Sequence, residues 1–281
     1  PWALDLDKVS VIAPLATCYP PEQVHIAFGL KPSVMGVQWA TMGGGEDTTA
    51  TVQYGSDSTK LDQTVTGATF AFTQDSGRTW FNHVANISGL APSTRYHYRG
   101  GNLAAGGNGQ WSQTFSFRSQ ATRATLKLPQ YHLLFGDMGS SFAFTLCTAC
   151  TGDLTCDAAT CATSSNNTVG IAAEVASGDV DMLLHTGDFA YNLDSSGGTV
   201  GDQFFRNMEQ AAARVPYMVS VGNHENGATA LAHYTERFRL LPSNTGYTTS
   251  TQGPAPNSWY YSWDEGLVHY VALSTENYFA S

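Results

Sequence analysis

Three short stretches gather residue types that bind hard or borderline cations: Gly136-Asp137-Met138-Gly139, Gly187-Asp188-Phe189-Ala190-Tyr191 and Gly222-Asn223-His224-Glu225. Carboxylate, phenolate, amide oxygen and imidazole are the donors such ions take. A carboxylate such as Asp188 can bridge two ions. Two ions roughly 3.5–4 Å apart can clamp the attacking and leaving oxygens of a phosphoryl group. A single Gly-Asp is ordinarily a strand-end turn. Three in order, each behind an apolar run, form a motif set with a shared purpose.

The apolar runs in front of them are Tyr131–Phe135, Asp181–His185 and Tyr217–Val221. Helical patterns separate them. Thr168–Ser177 has a capping Thr168 and a terminating Gly178, and Asp202–Arg214 carries Phe205, Met208 and Ala212 on one stripe before Pro216. Alternating strands and helices predict a parallel sheet, whose carboxyl ends are where ligands gather. Asp137, Asp188, Tyr191, Asn223 and His224 should therefore share one rim. His185 sits just before the second turn and reads either as a support for the rim or as a buried strand residue. A third helix is expected over Ala228–Leu240, with His233 on its surface. Ser258–Trp263 and Leu267–Ser274 read as paired strands about Asp264-Glu265-Gly266, with His269 structural. The serines after Gly139 follow a Gly-Asp turn and not the Gly-x-Ser-x-Gly elbow of a serine hydrolase.

Upstream, residues 21–119 read as all-β. Short runs recur at Val24–Phe28, Val34–Ala40, Ala50–Tyr54, Thr64–Phe72, Thr79–Ile87, Arg95–Gly100 and Trp111–Arg118, punctuated by Gly, Pro, Asp and Ser. This is the pattern of a β-sandwich. His25, His83 and His97 are scattered along it and read as ordinary sandwich histidines. Residues 1–20 read as an arm that docks on its own domain or on a neighbouring molecule. Residues 120–130 are a link, and the α/β domain is placed at 128–281.

The run from Gly89 to Tyr98, GLAPSTRYHY, resembles the end of a fibronectin type III domain. GDMG, GDFAY and GNHE, in that order, resemble the first three metal motifs of the purple acid phosphatases, which are binuclear metallophosphoesterases. The resemblance runs from about Pro21 to Glu276. It implies a fibronectin type III-like all-β sandwich followed by an α/β metallophosphoesterase domain. It further implies Asp137 and Tyr191 on a ferric ion, and Asp188 bridging to a divalent ion (Zn, Mn or Fe) bound by Asn223. His224 would be an outer-sphere proton donor. The implied reaction is hydrolysis of phosphate monoesters by metal-hydroxide attack. The family's later motifs, a strand ending in His and a Gly-His-x-His loop, do not occur before Ser281. The expectation is a catalytic domain incomplete at that residue, with the remaining donors supplied by downstream sequence or another chain. The strand Leu267–Leu273 would then keep an uncovered apolar face.

Composition bounds the partners. The chain has 281 residues, 42 % hydrophobic and 13 % charged, with a formal net charge of −10. That is core-forming material in one or two domains. The acidic balance argues against nucleic acid and opposes an anionic substrate at long range, so phosphate would need local metal charge. No apolar run approaches the roughly 18 residues of a membrane span. A start at Pro1 suggests a processed or partial product. The sequons at Asn86 and Asn166 fit glycosylation of a secreted, extracellular protein. Cys147, Cys150, Cys156 and Cys161 crowd one loop and read as two disulfides, with a zinc site as the rival. Cys18 is left to pair with a missing segment, pair with another chain, or stay free. The second functional reading is a non-catalytic extracellular structural or assembly protein on the same scaffold, self-associating through the arm or Cys18.

Overall fold

The computed structural model describes residues 19–45, 48–74, 76–104, 109–139, 166–227, 230–242 and 258–276. The arm, Cys18 and the four-cysteine loop lie outside the described residues.

The first part is a two-sheet sandwich. One sheet has the order β1 (Glu22–Phe28), β2 (Met35–Thr41), β6 (Thr79–Ile87), β5 (Ala68–Thr73). The other runs β4 (Gln63–Thr66), β3 (Thr48–Gly55), β7 (Arg95–Ala104), β8 (Gly109–Trp111), with β9 (Phe115–Arg118) also paired to β7. Val24, Ile26, Val37, Trp39, Val52, Tyr98 and Phe117 are fully buried between and beneath them. The expected strand Thr64–Phe72 is broken at Gly67, where a Cβ would overlap the Val84 carbonyl. Its halves join different sheets, β4 to β3 and β5 to β6. Trp111–Arg118 likewise divides between β8 and β9.

The second part holds three parallel strands in the order β10 (Tyr131–Phe135), β11 (Val180–His185), β12 (Tyr217–Val219). Two helices, α1 (Asn166–Ser177) and α2 (Thr199–Ala212), occupy the crossovers. Phe204, Phe205, Met208, Ala211 and Ala212 give α2 its buried face. The short α3 (Ala232–Arg237) begins later than the sequence pattern suggests, because Ala230 and Leu231 take left-handed φ of 43° and 54°. The hairpin β13 (Tyr260–Glu265) and β14 (Val268–Leu273) turns at Gly266 and is tied to β12 by the Tyr261 hydroxyl, which accepts from Val219 N at 2.9 Å. β14 leaves Val268, Val271 and Leu273 exposed at 48 %, 58 % and 65 %.

The two parts share a packed interface. Val24 N donates to the Glu209 carboxylate at 2.9 Å and the Tyr98 hydroxyl donates to Ala213 O at 2.8 Å. His25 is buried against Phe205 and Phe238. Asp202 lies between Arg78 of the sandwich and Arg237 of α3. His233, expected on a helix surface, is instead 2 % exposed, with its ring against Phe72 and Trp80. The covering residues belong to the other domain, which helix periodicity cannot see. Among the described residues no helix is long and apolar enough to cross a membrane.

Candidate metal centre

The three parallel strands end level, with Phe135, His185 and Val219 in one register row. The chain therefore leaves all three at the same edge. Asp137, Asp188 and Tyr191 then hold left-handed backbone, with φ of 52°, 53° and 46°. That conformation costs an L-residue roughly 1–2 kcal/mol and persists only where neighbours fix it. The neighbours are visible: Asp137 N donates to Gly187 O at 3.2 Å, and Met138 N to Asp188 O at 3.1 Å. The turns stack without room for side chains between them. A Cβ at Gly187 would overlap the backbone of Gly222, and one at Gly222 would overlap the amide and carboxylate of Asp188.

Two carboxylates and a phenol meet at this edge. The Tyr191 hydroxyl donates to Asp137 Oδ1 at 2.6 Å. That hydrogen bond above all, with the charges of Asp137 and Asp188, raises the phenol's pKa above its ordinary value. Asp188 is 8 % exposed, and its Oδ1 accepts His224 N at 3.0 Å. Among the described residues neither carboxylate has a Lys or Arg partner. Two carboxylates with no Lys or Arg partner among the described residues, one of them accepting the phenolic hydrogen, form a donor set that suits a metal cation. Ion binding there would take the place of that proton. Among the described residues no group of three or more His, Cys, Asp or Glu is placed to hold a metal ion.

Asn223 and His224 open the 3-10 turn Asn223–Glu225 that follows β12. Asn223 is exposed at the rim. The His224 ring lies 4.2 Å from that of Tyr191, centroid to centroid, and its Nδ1 is 2.6 Å from Asn192 Oδ1. An amide oxygen only accepts, so Nδ1 carries the hydrogen and Nε2 is left for proton transfer.

Sequence reasoning gave no role to two residues that hold the site in shape. One is Asn192, which fixes the His224 ring. The other is Glu225, 5 % exposed, whose carboxylate accepts Asp188 N at 2.8 Å, Phe189 N at 3.0 Å and Gly222 N at 2.9 Å. It ties the turn after β11 to the turn after β12. Burial above all pushes its pKa up to about 7. The sequence signal was the spacing of Glu225 three residues beyond Gly222, a capping-box spacing.

The other candidates stand elsewhere. His185 is buried beneath the rim, with its Nδ1 2.5 Å from the Tyr217 hydroxyl and its ring against Phe135 and Phe189. His269 pairs with Asp264 on the exposed hairpin at 2.7 Å. Asn86 is exposed on β6, and Asn166 is the first residue of α1.

Comparison with known proteins fits this architecture. Residues 21–119 match the family model for the purple acid phosphatase N-terminal domain, and residues 133–276 match the calcineurin-like phosphoesterase model. The chain is 32 % identical to acid phosphatase type 7 of Homo sapiens over 262 residues, covering 92 % of this chain and 50 % of that protein. It is 28 % identical to the probable inactive purple acid phosphatase 9 of Arabidopsis thaliana, covering 92 % of this chain and 42 % of the relative. The chain thus spans about half the length of the curated relatives it matches. A purple acid phosphatase from yellow lupin (Lupinus luteus) seeds superposes with a TM-score of 0.68 over 93 % of this chain and 47 % of that one; at 22 % identity the likeness is one of fold. With both family models in chain order and a relative 32 % identical over 92 % of this chain, this chain belongs to the purple acid phosphatase family.

Proposed function

We propose that the protein is a secreted phosphomonoesterase and that Asp137, Asp188, Tyr191 and Asn223 hold a ferric ion and a divalent ion (Zn, Mn or Fe) in its site. The observation that carries this reading is the convergence of Asp137, Asp188 and Tyr191 at one sheet edge with no Lys or Arg partner among the described residues. Such an ion pair, when bound, supplies Lewis acidity toward a phosphate ester and makes a water more acidic. The chain's own residues do the rest. Asp188 is held by His224 N and by the Glu225 bridge, so its carboxylate is placed before any ion arrives. Asn192 orients His224 so that Nε2 can deliver a proton to the departing alcohol oxygen. Two ions need donors beyond these four residues, and the reading takes them from outside the described residues. The test is hydrolysis of p-nitrophenyl phosphate by the full-length protein, with and without added iron and zinc. Metal-dependent turnover that falls in His224→Ala while metal is retained supports the reading. Turnover indifferent to metal, or none at all, contradicts it.

A second reading draws on the Arabidopsis relatives named as probable inactive phosphatases. On it the protein is an extracellular assembly component. Metal-free protein that self-associates and shows no turnover would favour it.

A further inference from the structure

The loop that carries Tyr191 is gripped at its far end by the sandwich. The turn between β5 and β6 presents two side chains to it. Gln74 Nε2 donates to Asp194 O at 3.1 Å, and Arg78 Nη1 donates to Gly197 O at 3.0 Å. Arg78 also pairs with Asp202 in the first turn of α2, and its guanidinium lies 4.8 Å over the Trp80 ring. Gln74 is itself fixed. Its backbone N–H donates to Arg78 O at 2.9 Å, and Ser76 Oγ donates to its side-chain oxygen at 3.1 Å. With the oxygen so occupied, the amide NH2 is the group left for the loop.

The grip leaves little slack. A Cβ at Gly198 would press against Trp80 at 3.1 Å, and one at Gly197 would already touch Gln74 and Ser76 at 3.4 Å. The segment 192–198 is also internally bonded, Ser195 N to Asn192 O at 3.2 Å and Gly198 N to Asp194 O at 3.0 Å. At its near end Asn192 holds the His224 ring. Its Asp194 carboxylate lies where a Cβ on Gly227, just past the Asn223–Glu225 turn, would meet it at 2.5 Å. One short bonded segment thus touches the sandwich at one end and the proton-transfer histidine at the other.

We infer that Gln74 and Arg78 are positioning residues: through the segment 192–198 the sandwich sets the orientation of Tyr191 and His224. The inference rests on the phosphomonoesterase reading for its kinetic consequence and on the contacts alone for its structural one. Misplacing a reacting group by about 1 Å can cost on the order of 100-fold in rate, so a softer loop lowers kcat more than it weakens substrate binding.

The test uses Gln74→Ala and Arg78→Lys in the full-length protein. Arg78→Lys keeps a charge for Asp202 and loses the guanidinium bond to Gly197. Both variants are expected to raise amide hydrogen exchange several-fold across 192–198 and across 223–226, while β1 and β2 exchange as in the parent. Turnover of p-nitrophenyl phosphate should fall about tenfold in kcat with KM within about twofold. Exchange unchanged, or raised only in 194–198, overturns the inference, as does an unchanged kcat. If the parent hydrolyses no phosphomonoester, the functional reading fails while the exchange experiment still decides the positioning role.

Discussion

Replacing Glu225 with Ala should damage the candidate centre more than replacing any of its ion-binding residues damages the fold. The carboxylate accepts three backbone N–H groups, from Asp188, Phe189 and Gly222, and is 5 % exposed. Truncation leaves those three donors without an acceptor. Above pH 7, where the Glu225 carboxylate is charged, a hydrogen bond to it contributes about 1.5–3 kcal/mol, and an orphaned buried donor costs about 1–3 kcal/mol. Three full penalties would exceed what the site can show, because the cavity left by Glu225 opens beside half-buried Gly222 and admits water. The expected loss is therefore on the order of 3–5 kcal/mol for Glu225→Ala. Glu225→Gln keeps the shape and one acceptor oxygen but sets an NH2 against an N–H donor, so the loss should be about 1–2 kcal/mol. Urea denaturation followed by tryptophan fluorescence measures both. A second readout is local: amides of 187–190 should lose exchange protection in both variants. A Glu225→Ala variant within about 0.5 kcal/mol of the parent, with protected turns, would refute the claim that this carboxylate ties the two turns together.

Two further outcomes follow. Tyr191→Phe should abolish any visible absorption of the iron-loaded protein while the far-ultraviolet spectrum is unchanged; colour that survives the substitution removes the phenol from the iron. Acid should unfold the protein. Burial holds His25 at about 4 and His83, His185 and His233 at about 3, so each is neutral when folded and takes a proton near its ordinary value when unfolded. Their contribution to stability is present above about pH 6.5 and is lost as the pH falls toward those values. Glu209 and Glu225, raised to about 7, act oppositely between roughly pH 4.5 and 7. Four groups outweigh two at about 1.4 kcal/mol per group and pH unit. Tm should fall on the order of 10 °C from pH 6.5 to 4.5; a rise would contradict the burial of the histidines.

Much of the frame was legible because its signals are local. Tyr131–Phe135 and Thr79–Ile87 form strands with the limits the sequence suggested, and the Gly-Asp and Gly-Asn turns follow level strand ends. What escaped depends on partners far away in the chain. Gly67 splits the run Thr64–Phe72, because the Val84 carbonyl occupies the space a strand side chain would need. His233 has the spacing of a surface residue, yet Trp80 and Phe72 of the sandwich cover it. Glu225 and Asn192 reach their partners across separations of 36 and 32 residues. α2 starts earlier than expected, at Thr199, because Gly197 and Gly198 both turn with positive φ and the pair sits just before the helix. No periodicity encodes these contacts.

If Asp188 anchors a binuclear metal centre, the metal content of the purified full-length protein, measured by mass spectrometry beside Asp188→Asn, will show it. The parent should carry about two ions per chain and the variant neither, since the bridging carboxylate would serve each. Metal content equal in the two proteins, or none bound by the parent after loading with iron and zinc, would contradict it.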